Sequence, residues 1–368
     1  MRRTRIVAAT ATLALTATTA VLVPASEAAA PRPRILAKHL VSPLTAAVDD
    51  DGTAYVTQNF TGQLLRIRPG KKPKVVYASK RGHEVGGVSV FHGKLVFTET
   101  ASDAQGNPAK TWVRWIGSSG RVHTLARLRA YENRTNPDRG VTYGVSRMSP
   151  ECAAQWPTEQ FGPATYEGQL DSHPYATLQT DEGTVFVADA GMNAVLAISP
   201  RGHIRTVAVT PPARVKITAE LAASFGMPDC VVGRTYSGES VPTDLALANG
   251  KLYVTTEGGG IGEQVPLGSI YRIGIRGGAV KKLVGKLAGP VGLASNARGD
   301  LFVSQLFGSE ISRIKHGTAK VRTYSRRNQP AAVEWTSRGL YATVNVLVGP
   351  SEESPSTPPG GKLIRFRR

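Results

Sequence analysis

The 368-residue chain holds only two cysteines and four methionines. Two thiols cannot build a disulfide framework, so a chain this long has to be held by its own core, with at most one bridge. Acids are also scarce, with 27 Asp and Glu against 45 Lys and Arg, a formal charge of +18. The basic residues are scattered, with no aromatic platform or recognition motif among them, so no nucleic-acid partner is expected. Anionic polymers outside the cell suit such a surface better. After residue 23 no apolar run is long enough to span a bilayer. Neither G-x-S-x-G nor H-E-x-x-H occurs, which removes the nucleophile-elbow hydrolases and the helical zinc proteases.

What is present begins with an export signal. Arg2, Arg3 and Arg5 precede an apolar run from Ile6 to Val23, and Ser26-Glu27-Ala28 fits a signal-peptidase site. Residues 1–28 read as a secretory signal peptide and 29–368 as the exported protein, with no transmembrane segment left after cleavage. In an oxidising compartment Cys152 and Cys230 are expected to pair with each other. The protein is expected to be a monomer.

The rest is organised by repetition. "SHPYATLQTDEGTVFVADAG", from Ser172, reads as two alternating strands around a tight turn. Five more stretches repeat it: "LTAAVDDDGTAYVTQ", "VSVFHGKLVFTE", "LALANGKLYVTT", "LASNARGDLFVSQ" and "AVEWTSRGLYATVN". Each places a glycine at the turn (Gly52, Gly93, Gly183, Gly250, Gly299, Gly339), where positive φ is needed. A proline opens the first strand in five copies (Pro43, Pro174, Pro242, Pro290, Pro330), and Val85 takes that place in the second. A third apolar strand follows every hairpin, and a fourth follows all but the last. Four strands at a minimum period near 40 residues describe propeller blades. The expected fold is therefore an all-β, six-bladed β-propeller of four-stranded blades. "PRILAKHL" near the mature N-terminus has the pattern of an outer strand and is expected to complete the sixth blade and close the ring.

Successive turn glycines lie 41, 90, 67, 49 and 40 residues apart. The extra length falls at strand connections that share one face of the ring. The connection between the second and third strands is long in blade two (101–110), blade four (257–267) and blade six (345–360). The two largest insertions, near 130–170 and 211–239, follow blades two and three and carry one cysteine each. A Cys152–Cys230 bridge would staple them into a small cap. "TAELAASFGMP" within the second reads as a short helix with Thr218 as N-cap.

Ionisable residues near that face are the candidates for chemistry. The sixth residue after each turn glycine is polar: Gln58, Glu99, Asp189, Thr256, Gln305 and Asn345. Asp189 is thus a repeat feature, expected to hydrogen-bond backbone N–H groups where its strand ends. His173 directly precedes a proline, beside the axis, where the other copies carry Ser42, Glu84, Val241, Gly289 and Gln329. Asp244 is the only acid two residues after the proline position and is expected to point into the channel. Glu84, Glu99, Asp171, His173, Asp189, Asp244 and Glu257 are the ligand or channel-mouth candidates. Glu84, His173, Asp189 and Asp244 form an oxygen-rich set suited to Ca²⁺, Mg²⁺ or Mn²⁺. Asn59-Phe60-Thr61 and Asn133-Arg134-Thr135 match the glycosylation pattern, one common by chance.

"SHPYATLQTDEGTVFVADAGMNAVLAISPRG", "CVVGRTYSGESVPTDLALANGKLYVTTEGGG" and "GSIYRI" resemble the ScyD/ScyE family of exported proteins, over nearly the whole mature chain. The resemblance implies a six-bladed propeller of the NHL and gluconolactonase-like type. "VFVADAGMN" is similar to the second-strand signature of NHL repeats, which implies a structural role for Asp189. The resemblance carries over no reaction and no catalytic residue. The functional expectation is a propeller that binds a small ligand or an envelope partner on its insertion-rich face. The alternative is a divalent-metal-dependent, lactonase-like hydrolase at the channel mouth.

Overall fold

The computed structural model describes residues 32–350, Ser354 and 356–367. The expected signal segment lies outside them, as does part of the 345–360 connection. Among the described residues no helix is long and apolar enough to cross a membrane.

Seven four-stranded antiparallel sheets make up the structure. Six are the repeats. In blade three the strands Pro174–Gln179, Val185–Asp189, Ala194–Ile198 and Ile204–Val209 pair in sequence order. The six innermost strands are Ala46–Val48, Glu84–Phe91, Pro174–Gln179, Pro242–Ala248, Pro290–Ser295 and Val333–Thr336. Each touches the next and the sixth touches the first, so the ring is closed. All six turn glycines adopt positive φ, from 66° at Gly250 to 118° at Gly339. The two middle strands of blade three are buried along their whole length. Neighbouring blades cover both of their faces, which is why they read as continuous apolar runs rather than alternating ones.

Blade six closes as expected. Arg34–Leu40 pairs with Gly361–Phe366, from Arg34 opposite Arg365 to Leu40 opposite Gly361. Hence the first and last strands of the described chain share one sheet, and no outer edge of blade six is left without its fourth strand.

The seventh sheet is the cap. Thr142–Gly144 and Thr165–Glu167 come from the first insertion, Ala213–Lys216 and Thr235–Gly238 from the second. The two insertions thus form one sheet with each other, and Cys152–Cys230 ties them together. An apolar cluster of Val145, Trp156, Ile217, Leu221, Phe225 and Val231 gives the cap its own core. The expected helix is Ala219–Ser224, with the Thr218 side chain accepting a hydrogen bond from the Leu221 N–H. The cap strands were not anticipated, because three or four residues are too few to show a period.

One expected loop is largely strand. The 101–110 connection of blade two continues the hairpin Lys94–Ser102 with Pro108–Ile116. Its short turn is held by Asp103, whose carboxylate accepts from the N–H groups of Gln105 and Asn107, each at 2.9 Å.

Candidate functional site

The sequence candidates do not gather at one point. Among the described residues no three His, Cys, Asp or Glu side chains are arranged to hold a metal ion. Two of the four proposed ligands do meet. His173 Nε2 lies 2.8 Å from Glu84 Oε2, across the boundary between blades three and two. Glu84 is fixed by Asn59, whose amide donates to Oε1 at 3.2 Å. Asn59 is itself buried and accepts from the Thr57 hydroxyl at 2.6 Å. The first glycosylation-like motif is therefore an inner support of this pair. Burial opposes charge on both partners, but the hydrogen bond and mutual attraction outweigh it. Glu84 is held below the usual carboxylate range and His173 above the usual imidazole range.

The other two belong elsewhere. Asp189 is fully buried and accepts from the His173 N–H (2.8 Å), the Ser172 hydroxyl (2.9 Å) and the Met192 N–H (3.2 Å). Gln58 accepts likewise from the Val41 N–H, and Gln305 from the Ala288 N–H, both at 2.9 Å. The three side chains act alike, each letting the end of a second strand grip the backbone that enters its own blade. Asp244 lines the axial channel, where its carboxylate accepts from the N–H groups of Leu293 (2.6 Å) and Leu245 (2.8 Å). Burial pushes it up to about 7.

Of the remaining candidates, Glu99 bonds Arg114 Nε and lies against His83 Nδ1, both at 2.9 Å. Asp171 is 3.9 Å from the Arg129 guanidinium. Glu257 is pushed up to about 7 by burial, with Glu263 adding repulsion. Glu257, Glu84 and Asp244 all act on the phenol of Tyr175, whose ionisation burial already opposes.

Tyr175 packs into the axis of the ring on the insertion side. Its ring reaches from blade three to pack against Leu44, Val291, Leu306, Ala331 and Val346, which belong to blades one, five and six. These side chains plug the channel on the insertion side. Below the plug a cavity of about 230 Å³ runs towards the hairpin-turn face, with Asp244 and Glu334 in its wall. Glu334 is raised well above the usual range by burial and then by Asp244. Tyr175 had a sequence signal: the residue after the proline position is Leu44, Gly86, Thr243, Val291 or Ala331 in the other copies, and only here aromatic.

The larger opening lies at the cap. A cleft of about 510 Å³ is walled by Phe161, Tyr166, Phe225 and Tyr236, with Glu239 and the Gly258-Gly259-Gly260 backbone completing it. Phe161 lies 6.1 Å from Phe225 and 6.3 Å from Tyr236, centroid to centroid. The Tyr166 hydroxyl donates to Glu239 Oε1 at 3.2 Å. Burial raises the Glu239 carboxyl, and Asp138 and Asp171 add to this. Gly260 leaves part of the space open, since a Cβ there would meet nothing within 4 Å. None of these residues belongs to the blade repeat, so sequence periodicity could not find them.

No family profile matches the chain, and no curated protein matches it in sequence. Solved structures do match in shape. A putative oxidoreductase (glucose dehydrogenase) of Thermus thermophilus has a TM-score of 0.55 at 15% identity, over 91% of this chain and 99% of that one. The calcium-binding protein regucalcin of Agrobacterium tumefaciens gives 0.54 at 10%, over 92% and 94%. A gluconolactonase of Xanthomonas campestris gives 0.52 at 13%, over 91% and 94%. At these identities the likeness shows the propeller fold and leaves the chemistry to be argued from the residues.

Proposed function

We propose that this chain is an exported binding propeller that holds a small ligand in the cleft between its cap and its insertion face. The observation that carries the reading is the 510 Å³ cleft, with four aromatic walls and one half-buried carboxylate. Its size and mixture of apolar walls with one directing polar group fit a small-molecule site. The aromatic faces suit a flat or apolar molecule, and Glu239 suits a hydrogen-bond donor or cation on it. The signal-like N-terminus and the pairing of both cysteines support export, and the basic surface supports contact with anionic envelope polymers. The quoted motifs support placement with the ScyD/ScyE proteins.

Gly260→Leu tests the site, because Gly260 lines the cleft and a Cβ there meets nothing within 4 Å. Fluorescence of the neutral dye Nile red in the wild type, lost in Gly260→Leu at unchanged thermal stability, is the expected result. Equal dye binding in both proteins would remove the cleft as the site.

A second reading is a lactonase-like hydrolase at the insertion face, favoured by the 2.8 Å pair of His173 and Glu84. A carboxylate that orients an imidazole is a familiar arrangement for a general base. Hydrolysis of a lactone or ester panel that disappears in His173→Ala is what this reading requires. A divalent cation there would need donors beyond this pair, since Asp189 and Asp244 are committed to backbone N–H groups.

A further inference from the structure

Among the described residues eleven buried side-chain polar atoms have no hydrogen-bond partner, and four fall within one seven-residue stretch. They are both carboxylate oxygens of Glu132, Asn136 Oδ1 and Asp138 Oδ1. Glu132 is 0% exposed and Asp138 1%. Once the carboxyls are ionised all four are acceptors; with no cation beside it, burial pushes Glu132 up to about 8. Leaving even one buried acceptor without a donor forfeits its hydration with nothing in return, and the cost is greater for a charged group. Four together, in one short segment, point to a missing positive partner.

The surroundings fit the same view. Asn136 Nδ2 donates to the Gly168 carbonyl at 3.0 Å, leaving its oxygen free. Asp138 borders the same glycine, since a Cβ on Gly168 would stand 2.3 Å from Asp138 Oδ1. The other Asp138 oxygen is fully used, accepting from Tyr143 Oη (2.9 Å) and Asn193 Nδ2 (3.0 Å), which fixes the carboxylate in place. The Asp171 N–H faces Glu132 without reaching hydrogen-bond geometry. Arg129, the nearby cation, acts on Glu132 from a distance but spends its hydrogen bond on the Leu170 carbonyl at 2.6 Å, beside Asp171. The stretch also ends the helix Leu128–Thr135, and the partial negative charge of a helix C-terminus favours a cation.

We propose that Glu132, Asn136 and Asp138 form a buried Ca²⁺ site at the root of the cap. The donors are all oxygen, two carboxylates balance the charge of one Ca²⁺, and an amide oxygen with main-chain carbonyls would complete the irregular shell that Ca²⁺ accepts and Mg²⁺ resists. This donor set contains only two acids, so it is distinct from the three-acid or histidine clusters absent above. It shares no residue with Glu84, His173 or the lining of the aromatic cleft, although Asp138 is near enough to act on Glu239. The ion would join the helix that leaves blade two to the 168–171 segment that enters blade three. Its role is structural: it fixes the base from which the cap rises.

The test starts from purified full-length protein stripped with EGTA. Titration with CaCl₂ is expected to bind about one ion per chain and to raise the melting temperature, with MgCl₂ at least tenfold less effective. Tb³⁺ is expected to show emission sensitised through Tyr143 and displaced by Ca²⁺. Glu132→Gln and Asp138→Asn should each weaken binding at least tenfold. A wild type that binds no Ca²⁺ and shows no Ca²⁺-dependent shift in melting would overturn the site, whatever the variants do. So would Ca²⁺ binding that survives Glu132→Gln and is lost in Glu84→Gln, which would put the ion at the channel mouth.

Discussion

His173 and Glu84 bind each other across a blade boundary, at positions the repeat makes equivalent. Four other copies place Ser42, Val241, Gly289 or Gln329 there, and all four adopt positive φ, between 41° and 59°. Blades two and three do not, and the side chains freed from that backbone form the 2.8 Å pair. The deviation from the repeat and the ion pair are one event.

That pair should titrate in a recognisable way. His173 gains its partner on folding, so its contribution is complete below pH 6.5 and is lost as pH rises through the elevated folded value. Glu84 has the opposite sign, contributing above about pH 4.5 and losing it as pH falls. The pair is therefore at full strength only between these limits. Histidine NMR titration should place His173 above 6.5, and Glu84→Gln should move it down. An unmoved resonance would contradict the pairing.

Asp189→Ala should cost about 2–4 kcal/mol, because it strands two buried N–H groups and the Ser172 hydroxyl. Gln305→Ala, which strands the Ala288 N–H, should cost about 1 kcal/mol. Urea denaturation of both variants gives the comparison. A catalytic Asp189 would show the reverse pattern, with activity lost at unchanged stability.

Tyr175→Ala removes the plug and should destabilise by about 3–5 kcal/mol, as for other large aromatic truncations in cores. The packing depends on the ring, so Tyr175→Phe should stay within about 1 kcal/mol of wild type. Thermal melts of the two variants distinguish packing from any need for the hydroxyl.

Glu334→Gln should flatten part of the pH dependence of stability. Both channel acids have raised values, Asp244 to about 7. A raised carboxyl stabilises fully below its unfolded value and loses that contribution as pH rises through the folded one. The wild type should therefore lose stability from Asp244 between roughly pH 4 and 7, and from Glu334 as pH rises above the ordinary carboxylate range, and the Gln variant less. Parallel curves would mean that water in the channel screens both acids.

Reduction of Cys152–Cys230 releases a loop of 78 residues. Loop entropy alone makes such a bridge worth about 4 kcal/mol. Since the bridge lies within the cap, protease sensitivity of 130–170 and 211–239 should rise before the blades unfold. Limited proteolysis with and without dithiothreitol measures this.

The blades were legible because each repeats the same physical problem. A glycine turn, an opening proline and alternating apolar residues recur along the ring, and Gly52 to Gly339 all adopt the expected backbone. Even the role of Asp189 followed from position, because Gln58 and Gln305 occupy equivalent places. The cap cleft and the Glu132 cluster were hidden for the opposite reason. Phe161, Tyr236 and Glu239 lie in insertions that occur once, and no period compares them with anything. At the mouth, Asp244 and His173 stand close in the repeat frame. The frame does not reveal that Tyr175 fills the axis between the mouth and the channel, or that backbone donors already hold Asp244.

The joining of Arg34–Leu40 to Gly361–Phe366 has a consequence in time. A chain made from its N-terminus exposes that first strand long before its partner exists. Five blades can form while the opening strand waits, and the ring stays ajar until Gly361–Phe366 arrives. Trimming either end opens the same blade, so a clipped tail and a clipped head should produce one and the same defect.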